Sequence, residues 1–149
     1  MNRHGGARRR RDADRESGVS AIEFVLLTPL LFFLIFATVQ FALYFFARHV
    51  AIAAAQEGDR VARSEAATTD YPTWSSAAVT ESNVWINRLG PNLLQGSNVL
   101  VPPGSAPGNA DWTVSVTVRA SVPSLFPWAN FTVTETSTGP VEQFIPDTP

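Results

Sequence analysis

Cysteine is absent from this 149-residue chain, which excludes disulfides, thiolate nucleophiles and thiolate metal sites. Histidine occurs only as His4 and His49, so there is no Cys/His cluster for a metal, and His49, single and without a nearby partner, is a poor catalytic candidate. Lysine is missing too: all eleven basic residues are arginine, a bias to which no mechanism attaches. No glycine-rich motif follows a strand and no Gly-x-Ser-x-Gly elbow occurs. The one Pro/Gly-rich stretch, residues 102–109, is too short and irregular to cradle a phosphate. The thirteen acids are scattered. These absences predict a protein that is no enzyme and takes no cofactor, metal, nucleic acid or small-molecule substrate.

What is present is a long greasy run. Phe24 to Ala47, FVLLTPLLFFLIFATVQFALYFFA, carries no formal charge, and its polar interruptions are Thr28, Thr38, Gln40 and the Tyr44 hydroxyl. At a helical rise of about 1.5 Å per residue it reaches roughly 36 Å, enough to cross a hydrocarbon core of about 30 Å with some tilt. Leu, Phe, Ile and Val point all round, where a soluble helix needs a polar face. A cleaved secretory signal is the rival reading, through the Ala-rich residues 51–55, but its apolar region runs only about 7–15 residues. Pro29 removes the helix bond to the Val25 carbonyl and bends the span; the bend is either harmless or shapes packing between subunits.

Charge is distributed unevenly around the run. Residues 1–18 hold six Arg against Asp12, Asp14 and Glu16, a net of +3, whereas residues 48–149 hold five Arg against nine acids, a net of −4. Arg8–Arg11 is no nucleic-acid patch here. An Arg cluster just before a span is the positive-inside signal and predicts a cytoplasmic N-terminus. The organisation expected is a cytoplasmic leader over 1–18, a transmembrane helix over 19–47 and an extracytoplasmic domain over 48–149.

Gly18 to Phe24, GVSAIEF, holds a carboxylate at the cytoplasmic edge of the run. Glu23 reads in two ways. It closes a capping box with Ser20 as N-cap, where the helix dipole also favours it. Alternatively, cleavage between Gly18 and Val19 frees an α-amine that pairs with the Glu23 carboxylate of a neighbouring subunit in lipid. The stretch ESGVSAIEFVLLTPLLFFLIF resembles the N-terminal signature of the TadE-like family, pseudopilin-like membrane proteins of tight-adherence (Flp-type) pilus systems. The residues that carry the resemblance are Gly18, Glu23, Phe24 and Pro29, behind an Arg-rich leader and ahead of a Leu/Phe-rich run. The resemblance implies processing after Gly18 by an aspartic prepilin peptidase, subunit alignment through Glu23 and Phe24, and other pilus-assembly subunits and membrane lipid as partners in a bacterial cell membrane. Type IV pilins often place an aromatic where this chain has Val19. The rival functions are an uncleaved single-pass adaptor binding an envelope partner and, third, a membrane-anchored enzyme.

Beyond Ala47 the helix continues as a stem. Ala47, Val50, Ala54, Gly58 and Val61 share a face, and Ala54, Gly58 and Ala62 form a small-residue row that permits close approach. That row packs either on its own domain or on a partner. Gln56, Glu57, Asp59, Arg60 and Arg63 fall away from it. His49 beside Arg48 reads as an interfacial polar anchor. Residues 64–73 form a loop, and Pro72–Thr73 open a second helix over Trp74–Leu89 with Trp74, Ala78, Val79, Trp85, Ile86 and Leu89 on its apolar arc, stopped at Gly90–Pro91. Asn98–Val101 is a short strand. Trp112–Val122 alternates apolar and polar residues without a break and predicts a half-buried antiparallel strand lying on the stem. Pro123–Trp128 turns the chain into Phe131–Thr138, with Phe131 and Val133 inward, and the tail to Phe144 extends it. This ending, with Glu142 near the finish, is also similar to TadE-like proteins. The fold expected is α+β: a long N-terminal transmembrane and spine helix, a second amphipathic helix and a small antiparallel sheet, pilin-like, with its polar strand face and loops open to protein partners.

Overall fold

The computed structural model describes residues 6–103 and 113–142, with side chains from Ala21 onward. The element order is α1 (Gly6–Glu65), α2 (Tyr71–Leu89), β1 (Gln95–Leu100), β2 (Thr113–Val122) and β3 (Phe131–Pro140). The class is α+β, as expected. The chain forms two compact units divided between Val39 and Gln40. The second therefore begins inside the apolar run, not after it.

α1 starts well before the position expected. Gly6 to Glu16 is helical, because the leader after Gly6 contains no proline and is rich in Arg, which favours helix along with its two Ala. Ser20 is thus interior to α1 and no capping box forms at Ser20 and Glu23: capping needs a helix start with free N–H groups, and none lies there. The helix runs on through Pro29.

In the second unit the α1 stem packs against both α2 and the sheet. The sheet is antiparallel in the order β1-β2-β3. β2 and β3 pair without interruption from Thr113↔Pro140 to Val122↔Phe131. β1 pairs with β2 through an irregularity between Gln95 and Asn98. Gly96 sits there with φ of +56°, a left-handed conformation that a residue with a Cβ adopts only at a cost. On β2 the alternation is observed as predicted: Val114, Val116, Val118, Ala120 and Val122 are buried and Arg119 and Ser121 are exposed. Trp112, expected to open this strand, lies outside the described residues, as does Phe144.

Two packed clusters result. One joins Ala47, Val50, Ala51, Ala54 and Ala55 of α1 to Ile86 and to Val118, Ala120, Val122 and Val133 of the sheet. The other joins Ala62 and Ala66 to Trp74, Ala78, Val114, Val116 and Val141. The small-residue row thus packs on its own domain. At Gly58 three elements meet: an added Cβ collides with Ser82 Oγ and comes within 3.0 Å of the Ala78 carbonyl and 3.2 Å of Val116 Cγ1. This closeness explains a departure on α2. Its buried residues are Trp74, Ala78, Ser82 and Ile86, a strict four-residue stripe, while Leu89 is exposed. Ser82, small and polar, occupies the centre of that stripe because only a small side chain fits opposite Gly58. Its hydroxyl donates to the Ala78 carbonyl at 2.9 Å and so is satisfied without a tertiary partner.

The stem's buried arc is wider than a single face, since two layers cover it. Asp59, expected in solvent, is 2% exposed. Ser137 Oγ of β3 donates to its Oδ2 at 3.1 Å, and Arg63 Nε stands 3.3 Å from the same oxygen. Oδ1 has no hydrogen-bond partner among the described residues. Arg63 lies across Gly139, and its carbonyl accepts the Glu142 N–H at 3.0 Å. Burial raises the Asp59 carboxyl above its ordinary 3.8, opposed by the Ser137 bond and by Arg63.

Two outcomes follow from this packing. Gly58→Ala overfills the three-way contact and lowers stability by about 1–3 kcal/mol despite alanine's better helix propensity; thermal unfolding in detergent shows this as a lower midpoint, and an unchanged or raised midpoint contradicts the contact. For Asp59, a carboxyl raised in the folded state adds stability that is complete below 3.8 and lost as pH rises through the folded value. Asp59→Asn lacks that loss. Its midpoint minus that of the parent therefore increases between about pH 4 and pH 7, and a pH-independent difference rules out the burial cost.

Candidate processing and membrane-anchoring site

The first unit is described as helix from Gly6 to Val39. The apolar side chains it carries find no cover in its own fold. Ile22, Phe24, Val25 and Leu26 are 64–71% exposed, and Leu27, Leu30, Leu31, Phe32, Phe33, Leu34, Ile35 and Phe36 are also open. Within Ala21–Glu65 lies an apolar window, wholly exposed, that makes this helix a candidate membrane span, the one such helix among the described residues. From Ala21 to Val39 it covers roughly 28 Å at about 1.5 Å per residue, close to the thickness of a hydrocarbon core.

Polar groups on this surface are satisfied within the helix. Thr28 Oγ1 donates to the Phe24 carbonyl at 2.7 Å and Thr38 Oγ1 to the Leu34 carbonyl at 2.8 Å, the back-bonding that lets hydroxyls sit in lipid. Phe32 and Phe36 stack one turn apart with centroids 6.4 Å from each other. Glu23 is the exception: it stands exposed among Ile22, Phe24 and Val25 with no acid or base of its own span beside it in sequence. Val19 lies one turn before it, about 6 Å along the axis. Gly18, Val19, Glu23, Phe24 and Pro29 thus all fall on one continuous helix. The Gly18–Val19 bond is inside it, where glycine and a β-branched residue weaken the helix by roughly 1 kcal/mol or more together.

Sequence reasoning passed over Gln40. It was visible as a polar break in the run, but its partners are more than eighty positions away. Gln40 is 4% exposed; its Nε2 donates to the Pro123 carbonyl at 3.1 Å and its Oε1 accepts the Leu125 N–H at 2.8 Å. One amide thereby closes the turn after β2 onto the first residue of the folded unit. His49, read as an interfacial anchor, sits on the helix surface with Nδ1 2.7 Å from the Phe45 carbonyl. Arg48 beside it pairs with Glu135 of β3 at 2.7 Å, a bond that raises the Arg48 pKa further. No three His, Cys, Asp or Glu side chains gather among the described residues.

Gln40→Leu leaves the Pro123 carbonyl and Leu125 N–H without their partner, at a cost of about 1–3 kcal/mol for each group that water cannot reach. Faster amide exchange at Leu125 with the β2–β3 ladder still protected is the expected result, and unchanged exchange there excludes the clasp.

No curated protein and no solved structure matches this chain. Residues 18–60 match the family model described as TadE-like protein, a segment that holds Gly18, Glu23, Phe24, Pro29, Gln40 and Gly58. The resemblance read from the N-terminal residues is therefore borne out: residues 18–60 are similar to the TadE-like family, over the stretch that carries those residues.

Proposed function

We propose that the protein is a pseudopilin-like subunit of a Tad (Flp-type) pilus assembly system, held in a bacterial membrane by α1 with its N-terminus in the cytoplasm and the folded unit outside. The observation that carries this reading is the coincidence of the family match over residues 18–60 with a single carboxylate, Glu23, in the otherwise apolar and uncovered Ala21–Val39 stretch of α1. A membrane carboxylate costs about 2.5–3.5 kcal/mol at mid-bilayer and less near the edge. Each Leu or Phe withdrawn from water returns about 1.5–3 kcal/mol. Insertion therefore tolerates Glu23 easily, and the residue is free to serve assembly.

In this reading a prepilin peptidase cleaves between Gly18 and Val19. Access requires local unwinding of α1, which Gly18 eases. Cleavage has a structural consequence for Glu23. In the uncut chain it is mid-helix, with no free N–H groups nearby. Once Val19 becomes the first residue, the new helix start exposes unpaired N–H groups and an ammonium within one turn of Glu23. Processing thus creates positive charge where a neighbouring subunit's Glu23 seeks a partner at the same depth in lipid. Phe24 flanks the pair, and the Pro29 bend lies one to two turns beyond.

Two measurements test the proposal. The intact mass of protein extracted from its native membrane is expected to lack residues 1–18; a full-length mass favours an uncleaved adaptor. Glu23→Ala is expected to insert normally, as judged by carbonate-resistant membrane association, yet to be lost from assembled pili. Normal incorporation of this variant removes the alignment role.

A further inference from the structure

The turn between β2 and β3 carries an apolar surface that the fold leaves open. Trp128 is 80% exposed and Leu125 46%. Phe126 is half-buried against Trp128, with ring centroids 5.6 Å apart. The turn is built firmly. Ser124 Oγ donates to the Phe126 carbonyl at 2.8 Å and accepts its N–H at 3.1 Å, and the Ala129 N–H reaches the same carbonyl at 3.0 Å. Pro123 and Pro127 have no N–H to satisfy. Gln40 takes up the Leu125 N–H and the Pro123 carbonyl. From Ala120 to Thr134 the sequence contains no charged residue. A turn with this many of its backbone groups already paired, no charge and a projecting indole is suited to the boundary between headgroups and acyl chains, where Trp is enriched.

Its anchor names the occupant. Gln40 follows Val39, the last residue of the first unit, directly in the chain. Phe41, Phe45 and Phe46, on the turns of α1 that follow, are exposed as well. We propose that the Pro123–Asn130 turn is a second membrane contact, which inserts Leu125 and Trp128 into the interfacial layer on the side of the bilayer where the folded unit lies. The contact rests on the reading of α1 as a span. It gives the folded unit a defined seat on the lipid surface and holds it there until the subunit leaves the membrane.

The absence of cysteine makes the test direct, because an introduced cysteine is the sole thiol. Full-length N130C and T138C, each labelled with an environment-sensitive nitrobenzoxadiazole dye, are reconstituted into phosphatidylcholine–phosphatidylglycerol vesicles carrying a nitroxide high on the acyl chain. Position 138 lies roughly 25 Å along β3 from position 130. Quenching several-fold stronger at 130 than at 138 is expected, with loss of the difference when Leu125→Ser and Trp128→Ser are added. Equal quenching at the two sites, or quenching at 130 that survives those substitutions, overturns the proposal. So does a label at 130 that is shielded from aqueous iodide yet untouched by the nitroxide, since another protein surface then covers the turn. Failure of the protein to float with vesicles overturns the span reading together with this one; flotation with equal quenching overturns this one alone.

Discussion

Apolar side chains without a protein partner must find another apolar phase, and this chain gathers them on one helix. From Ile22 to Phe36 nearly every large side chain of α1 is open. No face is spared for water, and the hydroxyls that interrupt the surface bond back to their own helix. This surface is what makes the helix a candidate membrane span. Glu23 gains its meaning from the same fact: a carboxylate is unremarkable in water and conspicuous in a bilayer.

The folded unit answers a different demand. Its stem must lie close to α2 and to the sheet at once, and it does so with alanine and glycine. Ala47, Ala51, Ala54, Ala55, Gly58 and Ala62 are all buried. Small side chains bring backbones near but bury little area each. The larger contributions come from across the contact, from Trp74 and from the valines of β2 and β3. The arrangement also forces a polar group inside. Asp59 lies in the arc that faces β3, held by Ser137 and Arg63, with one oxygen left unpaired among the described residues. Burial of a charged group that is only partly compensated costs stability. In return the pair ties the end of the stem to the strand that runs to Glu142.

α1 therefore meets two environments with two compositions. Bulky Leu and Phe stand uncovered before Val39, and after Gln40 the buried face of the helix turns to small residues that permit close packing. Gln40 stands at the change. Its side chain is long enough to reach the β2–β3 turn and polar enough to close that turn's backbone. A leucine there suits the run equally well by composition but leaves two backbone groups open.

Much of this was legible from residues alone. The apolar run, the positive leader, the Gly18–Glu23 spacing and the alternation of β2 are local patterns, and local patterns survive without coordinates because helix and strand periods are set by backbone geometry. The order α-α-β-β-β and the α+β class follow from them. Other features depended on distant chain segments. Gln40 and Asp59 looked like solvated or incidental polar residues until Pro123, Leu125 and Ser137 were brought beside them. Ser82 replaced Leu89 in the buried stripe of α2 because Gly58, on another helix, left room only for a small side chain. The capping box at Ser20 failed since a cap exists only where a helix begins, and the leader carried the helix back to Gly6. Periodicity along the chain determined which elements form. Contact across the chain decided which polar atoms are satisfied, because a hydrogen-bond partner eighty residues away leaves no trace in local sequence.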